Sequence, residues 1–137
     1  MRDTQVALFV HLVWGTWDRL PLLMGELERR VYRCIEDTCR EMGVEVLALG
    51  GVEDHVHLVV RFPATLAIAD LVKRIKGASS HLATHDIAPD EFFKWQGGYG
   101  AFSANADGLP ALCAYVRGQK AHHRLGTLVA ALEPDLT

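Results

Sequence analysis

Asp54-His55-Val56-His57-Leu58-Val59-Val60-Arg61-Phe62 has the β-branched, apolar composition of a buried strand, broken only by two histidines and an arginine. Side chains alternate along a strand, so His55, His57 and Val59 face one way while Val56, Leu58, Val60 and Phe62 face the other. One face is uninterrupted core. The other carries two imidazoles whose backbones lie roughly 6 to 7 Å apart, at about 3.3 Å rise per residue, so two ring nitrogens can converge on one ion or one phosphate. A single histidine near a strand is most often a hydrogen-bonded structural group. Two on one face each need a partner or a ligand, because unpaired buried polar groups cost stability, and neutral imidazole is the commonest nitrogen ligand of divalent metals.

Outward from this strand, helical and strand signals alternate. Gly50, Gly51 and Glu53 mark a tight connection to a preceding strand over 44–50, which places the histidine pair on a central hairpin strand. Residues 5–14 read as a first strand in which His11 is structural, followed by a turn-rich stretch through Asp18 and Pro21. Leu27, Val31, Ile35, Thr38 and Met42 recur at helical spacing over 26–42, and Gly43 is placed to end that helix. Pro63 stops the histidine strand, Thr65 is placed to cap a second helix, and Leu66, Ala69, Val72, Ile75, Ser79 and Leu82 form its apolar stripe. The glycine-broken aromatic stretch 92–103 suggests a further short strand or hairpin. Pro110 opens a last helix running to about Arg124, on which Tyr115 and Gln119 stand one above the other. Gly118 between them costs that helix about 1 kcal/mol relative to alanine and is expected to soften it. The order β-α-β-β-α-β-α, with helices covering one side of an antiparallel sheet, is a ferredoxin-like α+β arrangement, expected as a single domain over 1–137.

Composition limits the function. A net charge of -3 and a pI near 6.1 are not those of a generic nucleic-acid binder, which gains affinity from a basic surface. Basic residues do cluster locally, at Lys73, Arg74 and Lys76 and again at Arg117, Lys120, His122, His123 and Arg124, where they can attract phosphate despite the total. His81 and His85 stand four apart on a helix with no acidic or cysteine partner nearby, and read as a solvated or nucleic-acid-facing pair. Cys34, Cys39 and Cys113 form no Cys-x-x-Cys pair and read as reduced, buried thiols. No apolar stretch approaches the roughly 20 residues of a membrane span, so a cytoplasmic protein without a membrane partner is expected.

Five stretches carry a more specific likeness: His11-Leu-Val-Trp14, the block from Gly50 through Asp54, His55 and His57 to Val59, Lys73 to Ser80, Trp95 to Ser103, and Tyr115 to Gln119 followed by Lys120, His122 and His123. In these, and over most of its length, the chain resembles the single-tyrosine HUH transposases of small bacterial insertion sequences and their chromosomal relatives, the REP-associated tyrosine transposases. That resemblance implies a metal-dependent endonuclease and strand transferase acting on single-stranded DNA. It implies His55, His57 and Gln119 as ligands of Mg²⁺ or Mn²⁺, and Tyr115 as the nucleophile that becomes a 5′-phosphotyrosine. It also implies folded DNA hairpins as partners, with Lys73, Arg74, Lys76, Ser79, Ser80, Trp95, Arg117 and Lys120 as contacts. A homodimer, in which the tyrosine helix can complete a partner's site, follows from the same likeness. A domesticated hairpin-binding or regulatory protein that does not transpose is the alternative, and a metal-binding ferredoxin-like module unrelated to DNA a third reading.

Overall fold

The computed structural model describes residues 4–136, so residues 1–3 and 137 of the expected domain lie outside the described residues. Its elements are β1 (Leu8–Gly15), α1 (Gly25–Glu41), β2 (Glu45–Val52), β3 (His55–Phe62), α2 (Ile68–Leu82), β4 (Gly100–Ala104), α3 (Leu109–Arg117) and α4 (Gln119–Leu125). The four strands form one antiparallel sheet in the order β2-β3-β1-β4. In that order α1 bridges the parallel pair β1 and β2, and α2 bridges β3 and β4. Right-handed crossovers place both helices on the same face. There Val31, Ile35 and Cys39 of α1 and Leu71, Val72 and Ile75 of α2 pack on Leu12, Trp14, Val56, Leu58 and Val60.

The expectation of helices on one side only does not hold. After β4 the chain turns to the other face, where Cys113 and Val116 of α3 pack on Ala48 and Val59. The physical reason is that α3 follows the last strand and is not bound by a crossover. Its approach is close: a Cβ on Gly50 would lie 2.1 Å from the Val116 carbonyl oxygen, so only glycine allows the helix to seat. Gly50 and Gly51 therefore belong inside β2, opposite His57 and Val56, and the turn falls instead at Glu53 and Asp54. An extra residue, Leu47, bulges from β2, and its carbonyl accepts a hydrogen bond from Arg117 Nη2 at 2.7 Å.

Two local expectations also change. Ala67, not Thr65, occupies the N-cap of α2 and makes no side-chain cap. The last helix breaks at Gly118, so Tyr115 lies in the last turn of α3 while Gln119 begins α4. The stretch from 92 reaches the sheet through a Thr16–Trp95 bridge and then β4. Among the described residues no helix is long and apolar enough to cross a membrane.

Replacing Gly50 with alanine is expected to cost about 1 to 3 kcal/mol through overpacking against α3. Gly77, inside α2 with open space where a Cβ would stand, should gain up to about 1 kcal/mol on the same change. Denaturant midpoints of the two variants test the contrast; equal shifts would contradict the close seat of α3.

Candidate active site

The alternation of β3 places His55 and His57 on the α3 face, both fully buried. Each ring has its second nitrogen held by a different neighbour. His55 Nδ1 lies 2.7 Å from Asp54 Oδ1 and donates to it, since a carboxylate only accepts. Arg19 Nη2 donates to the same oxygen at 3.2 Å. His57 Nδ1 lies 2.9 Å from Nε2 of His11, which stands on β1 one diagonal away. The two Nε2 atoms point together into the space below α3 and α4.

Glu133 meets them there. Its Oε2 is 3.1 Å from His57 Nε2 and 3.2 Å from His55 Nε2. The latter approach is off the direction of a hydrogen bond, so that among the described residues His55 Nε2 has no hydrogen-bond partner. Its Oε1 accepts the Tyr115 hydroxyl at 2.6 Å, and the Val129 backbone N–H donates to that hydroxyl at 3.1 Å. Beyond α4, a C-terminal segment with a short 3₁₀ turn at Ala130–Leu132 crosses the histidine face and ends with Leu136 buried.

Electrostatics follow from this packing. Burial by itself would raise the Glu133 carboxyl, but the facing His55, His57 and Tyr115 groups outweigh it and hold it well below the usual carboxylate range. Burial lowers His57, against the pull of the facing Glu133 carboxylate. His55 moves up, because attraction to Asp54 and Glu133 exceeds the lowering by burial. Tyr115 moves up through burial first and its bond to Glu133 second. Burial, with His57 beside it, takes His11 down to about 4.

The donor set fits a divalent cation. One ligand atom from each of His55, His57 and Glu133 lies within 4.8 Å of the others. Separations of 3.1 and 3.2 Å match neighbouring ligands around an octahedral ion with bonds of about 2.1 Å. Gln119 is buried beside them, with its Nε2 3.5 Å from the Tyr115 carbonyl oxygen and its Oε1 facing His123 Nε2 at 3.1 Å. The structure brings His55, His57, Tyr115 and Gln119 together within one chain.

The sequence reading gives no site role to Glu133, Asp54, Arg19 or His11. Asp54 adjoins the histidine pair and carried a usable signal; Glu133 stands 18 residues beyond Tyr115 in a weakly charged tail and carried none.

The expected DNA contacts divide. Lys73 and Arg74 are exposed and Ser80 is half-buried on α2, on the opposite side of the sheet from the histidines. Ser79 and Trp95 are core: Trp95 Nε1 donates to Ser79 Oγ at 2.9 Å, and Phe93 and Trp14 pack edge-on against the indole, which removes both residues from the surface. Lys76 is spent on the carbonyls of Gln96 and Gly98 at 2.7 and 2.6 Å. Arg117 ties down the β2 bulge, and Lys120 pairs with Glu28 at 2.5 Å and with the Gly51 carbonyl at 3.2 Å, although both side chains stay open to solvent.

An α+β sheet that presents paired histidines to a helix-borne tyrosine defines a small class of proteins, and sequence comparison says which. The family described as Transposase IS200 like matches residues 4–119, and the chain belongs to that family. It is 36% identical over 70 residues to ISDra2 transposase TnpA of Deinococcus radiodurans, a stretch covering 51% of this chain and 50% of that protein. Thus the match spans about half the length of that curated relative. A crystal structure of a Deinococcus radiodurans R1 protein described as a transposase superposes with a TM-score of 0.65 at 25% identity, covering 85% of this chain and 93% of that one. A REP-associated tyrosine transposase bound to a REP hairpin has a TM-score of 0.67 at 14% identity, over 93% of this chain and 74% of that one, and shares the fold.

Stability should fall on acidification. The unfolded chain protonates His11 below about 6.5, whereas the folded chain resists until about 4, so the unfolded state binds more protons across that window. The loss attributable to this ring approaches about 3 kcal/mol by the lower end; His57 adds to it and His55 opposes it. Denaturant unfolding at neutral pH and near pH 4.5, compared with a His11→Gln variant that should show a smaller drop, checks the sign.

Proposed function

We propose that the protein is a metal-dependent DNA transposase that cuts and rejoins single-stranded DNA at hairpin-bearing ends in the cytoplasm, through a covalent tyrosine intermediate. One observation carries this reading: the Tyr115 hydroxyl and the Nε2 atoms of His55 and His57 all converge on the two oxygens of Glu133, at 2.6, 3.2 and 3.1 Å. Family membership supports the reaction, and the hairpin bound by the structurally similar REP-associated protein supports the substrate class.

A phosphodiester is a poor electrophile, and negative charge grows on it during attack. A divalent cation, Mg²⁺ or Mn²⁺, held by His55 and His57 with Gln119 or Glu133 beside them, would offset that charge at a non-bridging oxygen. Tyr115 Oη attacks phosphorus, the bond from phosphorus to the 3′ oxygen breaks, and the strand leaves with a 3′-hydroxyl while its neighbour stays attached as a 5′-phosphotyrosine. Glu133 Oε1 already accepts a hydrogen bond from the phenol in the ground state. Because Glu133 binds protons weakly and Tyr115 binds its own strongly, that proton passes to Glu133 only as the new P–O bond forms, and Glu133 gives it up again to the departing 3′ oxygen, directly or through water. Attack by another 3′-hydroxyl on the phosphotyrosine reverses the step and rejoins DNA without ATP. A cavity of about 700 Å³ beside Tyr115, lined by Ser103, Asn105, Ala111, Leu112 and His122, gives room for the nucleotide flanking the cut. Lys73, Arg74, Arg117 and Lys120 are the contacts for phosphates of the hairpin. A homodimer is the proposed assembly, to be read by light scattering.

A second reading, a hairpin-binding regulatory protein that does not transpose, draws on the hold that Glu133 and the Val129 N–H exert on the Tyr115 hydroxyl. Incubating the protein with labelled single-stranded DNA from its gene flanks and Mg²⁺ or Mn²⁺ separates the two. A covalent, slower-migrating band on a denaturing gel is expected for the wild type and lost in Tyr115→Phe and His57→Ala. Hairpin binding without any adduct would favour the regulatory protein.

A further inference from the structure

His55 and His57 are held by chemically different partners, and the difference has a consequence. Asp54 can only accept, so His55 keeps its proton on Nδ1 and turns a lone pair on Nε2 toward the site whenever it is neutral. His57 faces another imidazole, and His11 Nε2 at 2.9 Å can either give or take the single proton that fits between the two nitrogens.

Each arrangement fixes the far side of both rings. If His11 Nε2 donates, His57 carries its proton on Nε2 and donates it to Glu133 Oε2 at 3.1 Å, so no lone pair is left for a cation. If His57 Nδ1 donates, its Nε2 lone pair faces the site and His11 carries its proton on Nδ1. That atom is buried and has no hydrogen-bond partner among the described residues. The two arrangements hold the same number of protons and differ only in where they sit.

We propose that His11 is a positioning residue for the candidate metal centre, its Nε2 accepting the His57 Nδ1 proton and so setting the tautomer that binds a cation. Cation binding and the Glu133 hydrogen bond then require opposite tautomers of the same two rings, and His11 is the group that allows both. The inference rests on the reading of His55 and His57 as a cation site. Outer partners of this kind typically change metal affinity roughly 10- to 100-fold when removed.

Calorimetric titration of the full chain with Mn²⁺ near neutral pH provides the test, with His57→Ala as the control for the site itself. His11→Leu, which leaves an apolar group in the space, should bind Mn²⁺ roughly 10- to 100-fold more weakly. His11→Gln, whose Oε1 can take the place of Nε2 as acceptor, should restore most of the loss. In ¹⁵N spectra of the wild type loaded with Zn²⁺, His57 should show a protonated Nδ1, a readout independent of whether either variant folds. Wild-type-like affinity in His11→Leu or no recovery in His11→Gln would overturn the role of His11, and a His57 protonated on Nε2 when loaded would overturn its place as a cation ligand. Failure of the wild type to bind, or unchanged binding in His57→Ala, would instead overturn the cation site.

Discussion

Two imidazoles buried side by side on one strand each have two nitrogens to satisfy, and the surroundings of β3 are organised by that demand. One nitrogen of each ring is taken by a neighbour in the sheet or the adjoining turn: Asp54 for His55, His11 for His57. The other is left pointing to a common space, where only a cation, a proton or a carboxylate is stable. Glu133 supplies the carboxylate, and its second oxygen brings in Tyr115.

The cost of holding this arrangement shows in the backbone. Asp18 and Arg19 both have φ near 52°, a left-handed conformation that non-glycine residues rarely adopt, at about 1 to 3 kcal/mol each. The turn is secured by Thr16 Oγ1 donating to the Leu20 carbonyl at 2.7 Å and by Arg19 donating to Asp54 at 3.2 Å. Strain beside a site is tolerated where surrounding contacts over-determine it, and here the guanidinium it aims supports the carboxylate that orients His55. On the other side of the sheet the logic is simpler. Trp95, Ser79 and Lys76 join α2 to the stretch leading into β4, through an indole, a hydroxyl and an ammonium whose polar ends are all paired. Residues that read as a nucleic-acid surface are spent there on holding the fold.

The period of two in 54–62 determined which residues of β3 meet the helices and which meet the site, and periods near 3.6 determined α1 and α2, because both depend only on neighbours in sequence. The order of elements was legible for the same reason, whereas the grouping of His55 and His57 with Tyr115 and Gln119 came from the family likeness alone. What only the tertiary structure decided was everything that needs two distant segments at one point. The seat of α3 against Gly50, the pairing of His11 with His57, the burial of Ser79 and Trp95, and the arrival of Glu133 between tyrosine and histidines are all of this kind. Local spacing says which face a side chain takes; it carries no information about which remote group will need the same few cubic ångströms.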